Sequence, residues 1–216
     1  PVGPNNIAVR AAMLLREHVG RADLGADIAI RKEIPVAGGM AGGSADAAAT
    51  LVACNEAWGL GLSREAPEPI AAELGSDVPF LLHGGNAMGS GRGEQVNQIL
   101  SRGTFHWVAV TSDEGLSTAA VYAEFDRLNP VGVSEPTVAP ELLAALRSGD
   151  VDELASALSN DLTDAALSLR PDLAEVMAVG LSLGAEAALL SGSGPTVLFL
   201  ARDPGHSQEL AAMLTA

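Results

Sequence analysis

The chain has 216 residues, 48% of them apolar, and a formal net charge of −15. That apolar content fills a sizeable core. No stretch approaches the ~20 uninterrupted apolar residues of a membrane span, and so anionic a surface repels nucleic acid and anionic lipid. A soluble protein with neither a nucleic-acid nor a membrane partner is expected.

Cys54 is the single cysteine, which excludes an intramolecular disulfide; it lies in an alanine-rich apolar stretch and suits a reducing, cytoplasmic location. The acidic excess falls mostly after Gly103, and Lys32 is the only lysine. Any phosphate ligand is then to be held by backbone N–H groups and a few cations. The chain starts at Pro1, and Leu210 to Ala216 still read as helix interior, so it reads as cut at both ends.

In chain order, Asn5 and Asn6 are good N-caps, and Ile7, Ala11, Leu14 and Leu15 recur at helical spacing, so residues 6–19 are predicted helical up to a Gly20 stop. Ala26 to Ile34 alternates apolar Ile28 and Ile30 with polar partners, which predicts a strand ended by Pro35. A glycine-rich run follows, and Ser44-Ala45-Asp46 opens an alanine-rich helix to about Trp58. Ser63 is the expected cap of a further helical stretch, whose regular part is confined by Pro67 and Pro69. Residues 75–80 read as a loop entering a short apolar segment, and Asn86 to Met88 as a strand before a tight glycine turn.

Thr104 to Val110 is a predicted strand, and Ser117 to Leu128 a helix capped by Ser117. Three prolines make Asn129 to Pro140 a loop; acidic helices are expected near 140–147, 150–159 and 171–183. Glu186 to Leu190 and Thr196 to Ala201 are short strands joined by Ser191-Gly192-Ser193-Gly194-Pro195. No internal repeat or low-complexity linker is evident. Strands and helices mix without strict alternation, which favours an α+β fold.

The strongest chemical signal is strand, Pro35, glycine-rich loop, helix. Gly38, Gly39, Gly42 and Gly43 fall within six residues, where backbone must approach something closely. Successive N–H groups and a helix N-terminus bind phosphate oxygens without a basic side chain; the bland alternative is a flexible connector. A P-loop needs Gly-Lys-Ser/Thr, and here the triplet is Gly42-Gly43-Ser44. Neither this run nor Gly89 to Gly93 supplies the Rossmann G-x-G-x-x-G, and neither Ser44 nor Ser191 sits in G-x-S-x-G. His18, His83, His106 and His206 show no metal-ligand spacing.

Pro35-Val36-Ala37-Gly38-Gly39-Met40-Ala41-Gly42-Gly43-Ser44-Ala45 resembles the second signature of the GHMP small-molecule kinases. Ser191-Gly192-Ser193-Gly194-Pro195-Thr196 resembles their third. Within that superfamily, Asn6-Ile7, Ala45-Asp46-Ala47-Ala48 and Leu74-Gly75-Ser76-Asp77-Val78-Pro79-Phe80 are similar to the diphosphocytidyl-methylerythritol kinases, so the resemblance covers nearly the whole chain.

The resemblance implies a two-lobed α+β fold: an incomplete N-terminal lobe, residues 1–103, like domain 2 of ribosomal protein S5, and a ferredoxin-like C-terminal lobe, residues 104–216. It implies transfer of the ATP γ-phosphate to the 2-hydroxyl of a cytidine-diphosphate-bearing methylerythritol, in the non-mevalonate route to isoprenoids. Pro35 to Ala45, with Asn6, would bind ATP, and Ser44 would be the hydroxyl nearest Mg²⁺. Asp77 would accept or orient the hydroxyl proton. Thr118, Tyr122, Gly192, Ser193 and Gly194 would bind the second substrate, with Tyr122 stacked on cytosine.

Each has a structural alternative: Asp77 as an N-cap or turn residue, Tyr122 as a core ring on a helix face, Asn6 as an N-cap only. The family's first motif, Pro-x-Lys-x-Asn, and the Tyr-His pair after it are absent from these residues, and Lys32 lies outside any such context. The chain as it stands is therefore expected to lack the cation that lowers the catalytic aspartate's pKa and one wall of the cytidine pocket. Two rivals share parts of the pattern: a homoserine or mevalonate type of GHMP kinase, which has the loop but not Gly-Ser-Asp-Val-Pro-Phe, and a nucleotide-binding module without catalysis.

Overall fold

Helix α1, Ile7–His18, starts where expected because the Asn6 side chain accepts from the Ala8 N–H at 2.9 Å, and its buried stripe is Ala8, Ala11 and Leu15. The computed structural model to which it belongs describes residues 3–132 and 136–215. The described chain divides into two units, the first made of residues up to Glu33 with Ala41–Ile99, the second of Ile34–Met40 with Leu100–Ala216. The predicted boundary at Gly103 keeps residues 34–40 with the N-terminal part, whereas these residues pack with the second unit.

In the first unit α1 packs on α2, Gly42–Ala57, with α3, Glu68–Leu74, and α4, Val78–His83, completing the layer. Ala11, Ala47, Ala48 and Ala71 let the helices approach closely around Leu15, Leu51, Leu74 and Val78. Full burial of Leu15 and Leu51 contributes ~1.5–3 kcal/mol each. A hairpin of β1, Ala87–Ser90, and β2, Gln95–Gln98, closes the unit.

The second unit holds β3, His106–Val110, then α5, Thr118–Leu128, α6, Pro140–Ser148, α7, Val151–Ala157, α8, Thr163–Leu169, and α9, Asp172–Ser182. It ends with β4, Ala187–Leu190, β5, Val197–Ala201, and α10, Pro204–Thr215. The sheet is antiparallel in the order β3-β5-β4. Side-chain alternation splits it between two cores. Val108, Val197 and Phe199 face a core with Val121 of α5, Ala165 of α8, Leu173 of α9 and Leu210 of α10. Trp107, Ala187 and Leu200 face Ala145 of α6 and Leu154 of α7. Gly180 permits the close approach of α9 to β5: a Cβ there would lie 2.1 Å from Phe199 Cε1.

Several expectations are corrected. Residues 26–34 form no strand and pair with no strand among the described residues, and Ile28 and Ile30 instead line a groove of about 400 Å³ against Ala49, Ala53 and Ala57 of α2. α2 begins two residues earlier than Ser44, with Ala41 in the left-handed region as its N-cap and no side-chain cap. Ser63 caps nothing; α3 starts at Glu68 after Pro67. Val78 opens a helix, so the expected loop is shorter, and β2 and α8 were not foreseen. Part of the predicted loop from Asn129 to Pro140, residues 133–135, lies outside the described residues.

Candidate functional site

In the second unit, the front of the glycine-rich loop lies on the turn between β4 and β5. The turn is closed by Ser191 N–H to Thr196 O at 2.9 Å and Gly194 N–H to Ser191 O at 2.8 Å. Gly192 and Gly194 carry φ of +54° and +78°, which glycine adopts without steric cost. The Ser191 hydroxyl donates to Gly39 O at 3.0 Å. Gly39 itself has φ +75°, and a Cβ there would lie 2.3 Å from Ser191 O and 2.6 Å from Gly194 O. Leu116 N–H reaches Ala37 O at 3.4 Å from the other side. Two motifs about 150 residues apart in sequence are thus joined by a hydroxyl-to-carbonyl hydrogen bond and by close backbone approach.

The rear of the loop belongs to the first unit. The first rung of α2 is Ala45 N–H to Ala41 O at 2.9 Å, so the N–H groups of Gly42, Gly43 and Ser44 precede the helical ladder, and no side chain caps them. A Cβ on Gly43 would meet only Ile7 Cγ2 at 4.0 Å, leaving the first turn open to approach. Lys32 Nζ donates to Gly42 O at 2.8 Å and pairs with Asp46, a contact the sequence did not disclose because its partners are ten and fourteen residues away.

Asp77 stands at the N-cap position of α4 with helical φ and ψ of −85° and −14°, and its side chain makes no capping hydrogen bond. The residue is exposed, while Val78 and Pro79 after it are buried against the unit's core. The motif therefore anchors the backbone and leaves the carboxylate free of capping duty. α4 packs on α2, the helix whose first turn carries Ser44.

Thr118 is the first residue of α5, and its hydroxyl is 2.9 Å from that of Ser193. The structure thus brings together two residues expected at the second substrate. Tyr122 lies one turn further along α5 with 54% of its surface exposed, so it is not a core ring. At the other end of α5 the Arg127 guanidinium, and then the Ser168 hydroxyl, hold the Glu124 carboxyl down to about 2. Asn6 serves as the N-cap of α1.

The first turn of α2 fits phosphate oxygens of a nucleoside triphosphate: its N–H groups are uncapped, and a Cβ on Gly43 would meet only Ile7 Cγ2 at 4.0 Å. Among the described residues no group of three or more His, Cys, Asp or Glu gathers, so a divalent cation would draw most of its ligands from phosphate and water, as Mg²⁺ commonly does. Among the described residues no helix is long and apolar enough to cross a membrane.

Comparison with known proteins agrees with this geometry. The family described as GHMP kinases N terminal domain matches residues 6–85, and that described as GHMP kinases C terminal matches residues 142–216. The chain is 54% identical over 216 residues to a protein of Thermobifida fusca named 4-diphosphocytidyl-2-C-methyl-D-erythritol kinase, covering all of this chain and 70% of the relative. A crystal structure of 4-(cytidine 5'-diphospho)-2C-methyl-D-erythritol kinase superposes with TM-score 0.82 at 31% identity, covering 100% of this chain and 76% of that one. Homoserine kinase from Cytophaga hutchinsonii shares the fold, with TM-score 0.75 at 17% identity over 97% of this chain and 70% of that one.

Proposed function

The chain belongs to the GHMP kinases, and on that premise we propose that it carries the ATP-dependent phosphorylation of 4-diphosphocytidyl-2-C-methyl-D-erythritol at its 2-hydroxyl, in the methylerythritol phosphate route to isoprenoids. The observation that carries this assignment is 54% identity along the entire chain to a relative bearing that activity in its name. The N-terminal kinase domain would end near Gly103 and the C-terminal domain follow it, in a cytoplasmic enzyme.

The chemistry follows from what each group can do. Within the loop from Pro35 to Ala45 the backbone N–H groups of Gly42, Gly43 and Ser44 hold triphosphate oxygens, which suits a chain whose only lysine is Lys32. Asp77, exposed and without a capping bond, receives the proton of the acceptor hydroxyl as its oxygen bonds the γ-phosphorus and the bond to the ADP oxygen breaks. Tyr122 offers an exposed ring for stacking on cytosine, and Thr118 with the Ser193 turn offers hydroxyl and backbone groups to the rest of that substrate. Mg²⁺, when bound, neutralises triphosphate charge, with the Ser44 hydroxyl as its one ligand candidate in the loop.

The test is a substrate panel. The natural protein carrying this chain, given ATP and each alcohol separately, is expected to phosphorylate 4-diphosphocytidyl-2-C-methyl-D-erythritol and to leave homoserine and mevalonate untouched. Preferential turnover of homoserine or mevalonate would move the chain to another branch of the family.

A further inference from the structure

Asn160 lies in the tight link between α7 and α8, and its side chain is used on both ends. Its Oδ1 accepts from Leu162 N–H at 2.9 Å, which fixes the orientation of the amide. Its Nδ2 then faces two backbone carbonyls, Leu190 O at 2.8 Å and Gly192 O at 2.7 Å. Both amide protons are therefore spent on the turn between β4 and β5, thirty residues away in sequence. The carbonyls they reach flank Ser191, whose hydroxyl donates to Gly39 O at 3.0 Å and whose own carbonyl sits where a Cβ on Gly39 would go. A Cβ on Gly192 would in turn lie 2.9 Å from Gly39 O.

We infer that Asn160 is a positioning residue for the glycine-rich loop: it holds Leu190 and Gly192 so that Ser191 can hold Gly39. The inference rests on the phosphate-binding role proposed for that loop. Backbone bonds close the turn on itself, but glycines occupy two of the six positions between β4 and β5, and the Asn160 amide ties the carbonyls on either side of Ser191 to the link between α7 and α8. A carbonyl pair pinned by one NH₂ group cannot swing independently, and Ser191 lies between them. Asn160 touches neither loop nor ligand and acts through Ser191.

The measurement is a double-mutant cycle on ATP affinity in the natural protein carrying this chain, using calorimetry with a nonhydrolysable ATP analogue. Asn160→Asp keeps the acceptor for Leu162 and turns the donor into an oxygen facing two carbonyls; Ser191→Ala removes only the link to Gly39. Asn160→Asp is expected to weaken binding about tenfold or more. The double variant is expected to be no weaker than the worse single one, because both act through one contact. Strictly additive losses, or Asn160→Asp binding at wild-type strength with only a lowered Tm, overturn the inference. If Asn160→Asp does not fold, the neutral Asn160→Ala carries the same expectation, and failure of both to fold assigns Asn160 to the fold alone and overturns it. Wild-type protein that does not bind the analogue sinks the phosphate-loop assignment instead, which keeps the two failures apart.

Discussion

The Gly39 carbonyl accepts a hydrogen bond from the Ser191 hydroxyl at 3.0 Å, although 152 residues separate them. Beside this hydroxyl-to-carbonyl bond the backbone of Gly39 approaches the Ser191 and Gly194 carbonyls so closely that no side chain is tolerated at Gly39. The front of the glycine-rich loop is thereby part of the second unit's packing, whereas Gly43, four residues after Gly39, has open space around it. The two glycines have different reasons to be glycine.

Gly39→Ala and Gly43→Ala therefore separate fold from ligand. At Gly39 the added carbon overlaps two backbone carbonyls and the positive φ adds strain, for a loss of roughly 1–3 kcal/mol. At Gly43 the protein accommodates the carbon, so Tm is expected to hold while KM for ATP rises through loss of close backbone approach. Thermal unfolding beside ATP titration checks this; unchanged KM in Gly43→Ala would remove the first turn of α2 from the phosphate site.

Tyr122→Ala tests the stacking role. Loss of a base–aromatic stack costs ~1–3 kcal/mol, a rise of about five- to 150-fold in KM for the cytidine substrate. KM for ATP and the Tm are expected to stay near wild type, because more than half of the side chain is exposed. A matched rise in both KM values would refute a cytosine contact.

Most helices and the three strands of the second unit were legible in sequence because their signals are local: Asn6 and Ser117 cap the helices that follow them, and Val197 to Ala201 is a short apolar run after a glycine-rich turn. Residues 26–34 carry the alternation of a half-buried strand, yet a strand needs a partner edge, and no described strand supplies one. Ser44 reads as a cap by residue type, but the chain reaches the helix two residues sooner through a left-handed Ala41. Pro35 to Ala45 and Asp77 stood out by composition and motif. The Lys32–Asp46 pair, the Thr118–Ser193 hydroxyl contact and the Asn160 bridge did not, since each is a meeting of distant residues with no local signature.

Gly180→Ala is a core test independent of the site. The new carbon would lie 2.1 Å from Phe199 Cε1 inside a packed helix–sheet contact, so a destabilisation of ~1–3 kcal/mol is expected. Turnover per folded molecule is expected to be unaffected. Denaturant unfolding with an activity assay at low denaturant reads both.

Acid sensitivity follows from Glu124. Its carboxyl is ordinarily near 4.5 and is held at about 2 by Arg127 and then Ser168. A depressed folded-state value means that the stabilisation is complete above pH 4.5 and is lost as pH falls from there through 2. Wild type is expected to lose more stability across that window than Glu124→Gln, and equal losses of unfolding free energy by the two proteins between pH 5 and pH 3, read by urea unfolding, would show that the contact does not persist in solution.

The central claim is that Asp77 takes the acceptor proton beside the transferring phosphoryl group, and Asp77→Asn tests it most directly because asparagine keeps the shape and cannot accept a proton. Single-turnover phosphoryl transfer in the natural protein carrying this chain is predicted to slow by ~10²–10⁴-fold, with ATP affinity and Tm nearly unchanged. The exposed side chain without a capping bond leaves no folding role whose loss would mimic that result. Wild-type single-turnover rates in Asp77→Asn would contradict the account.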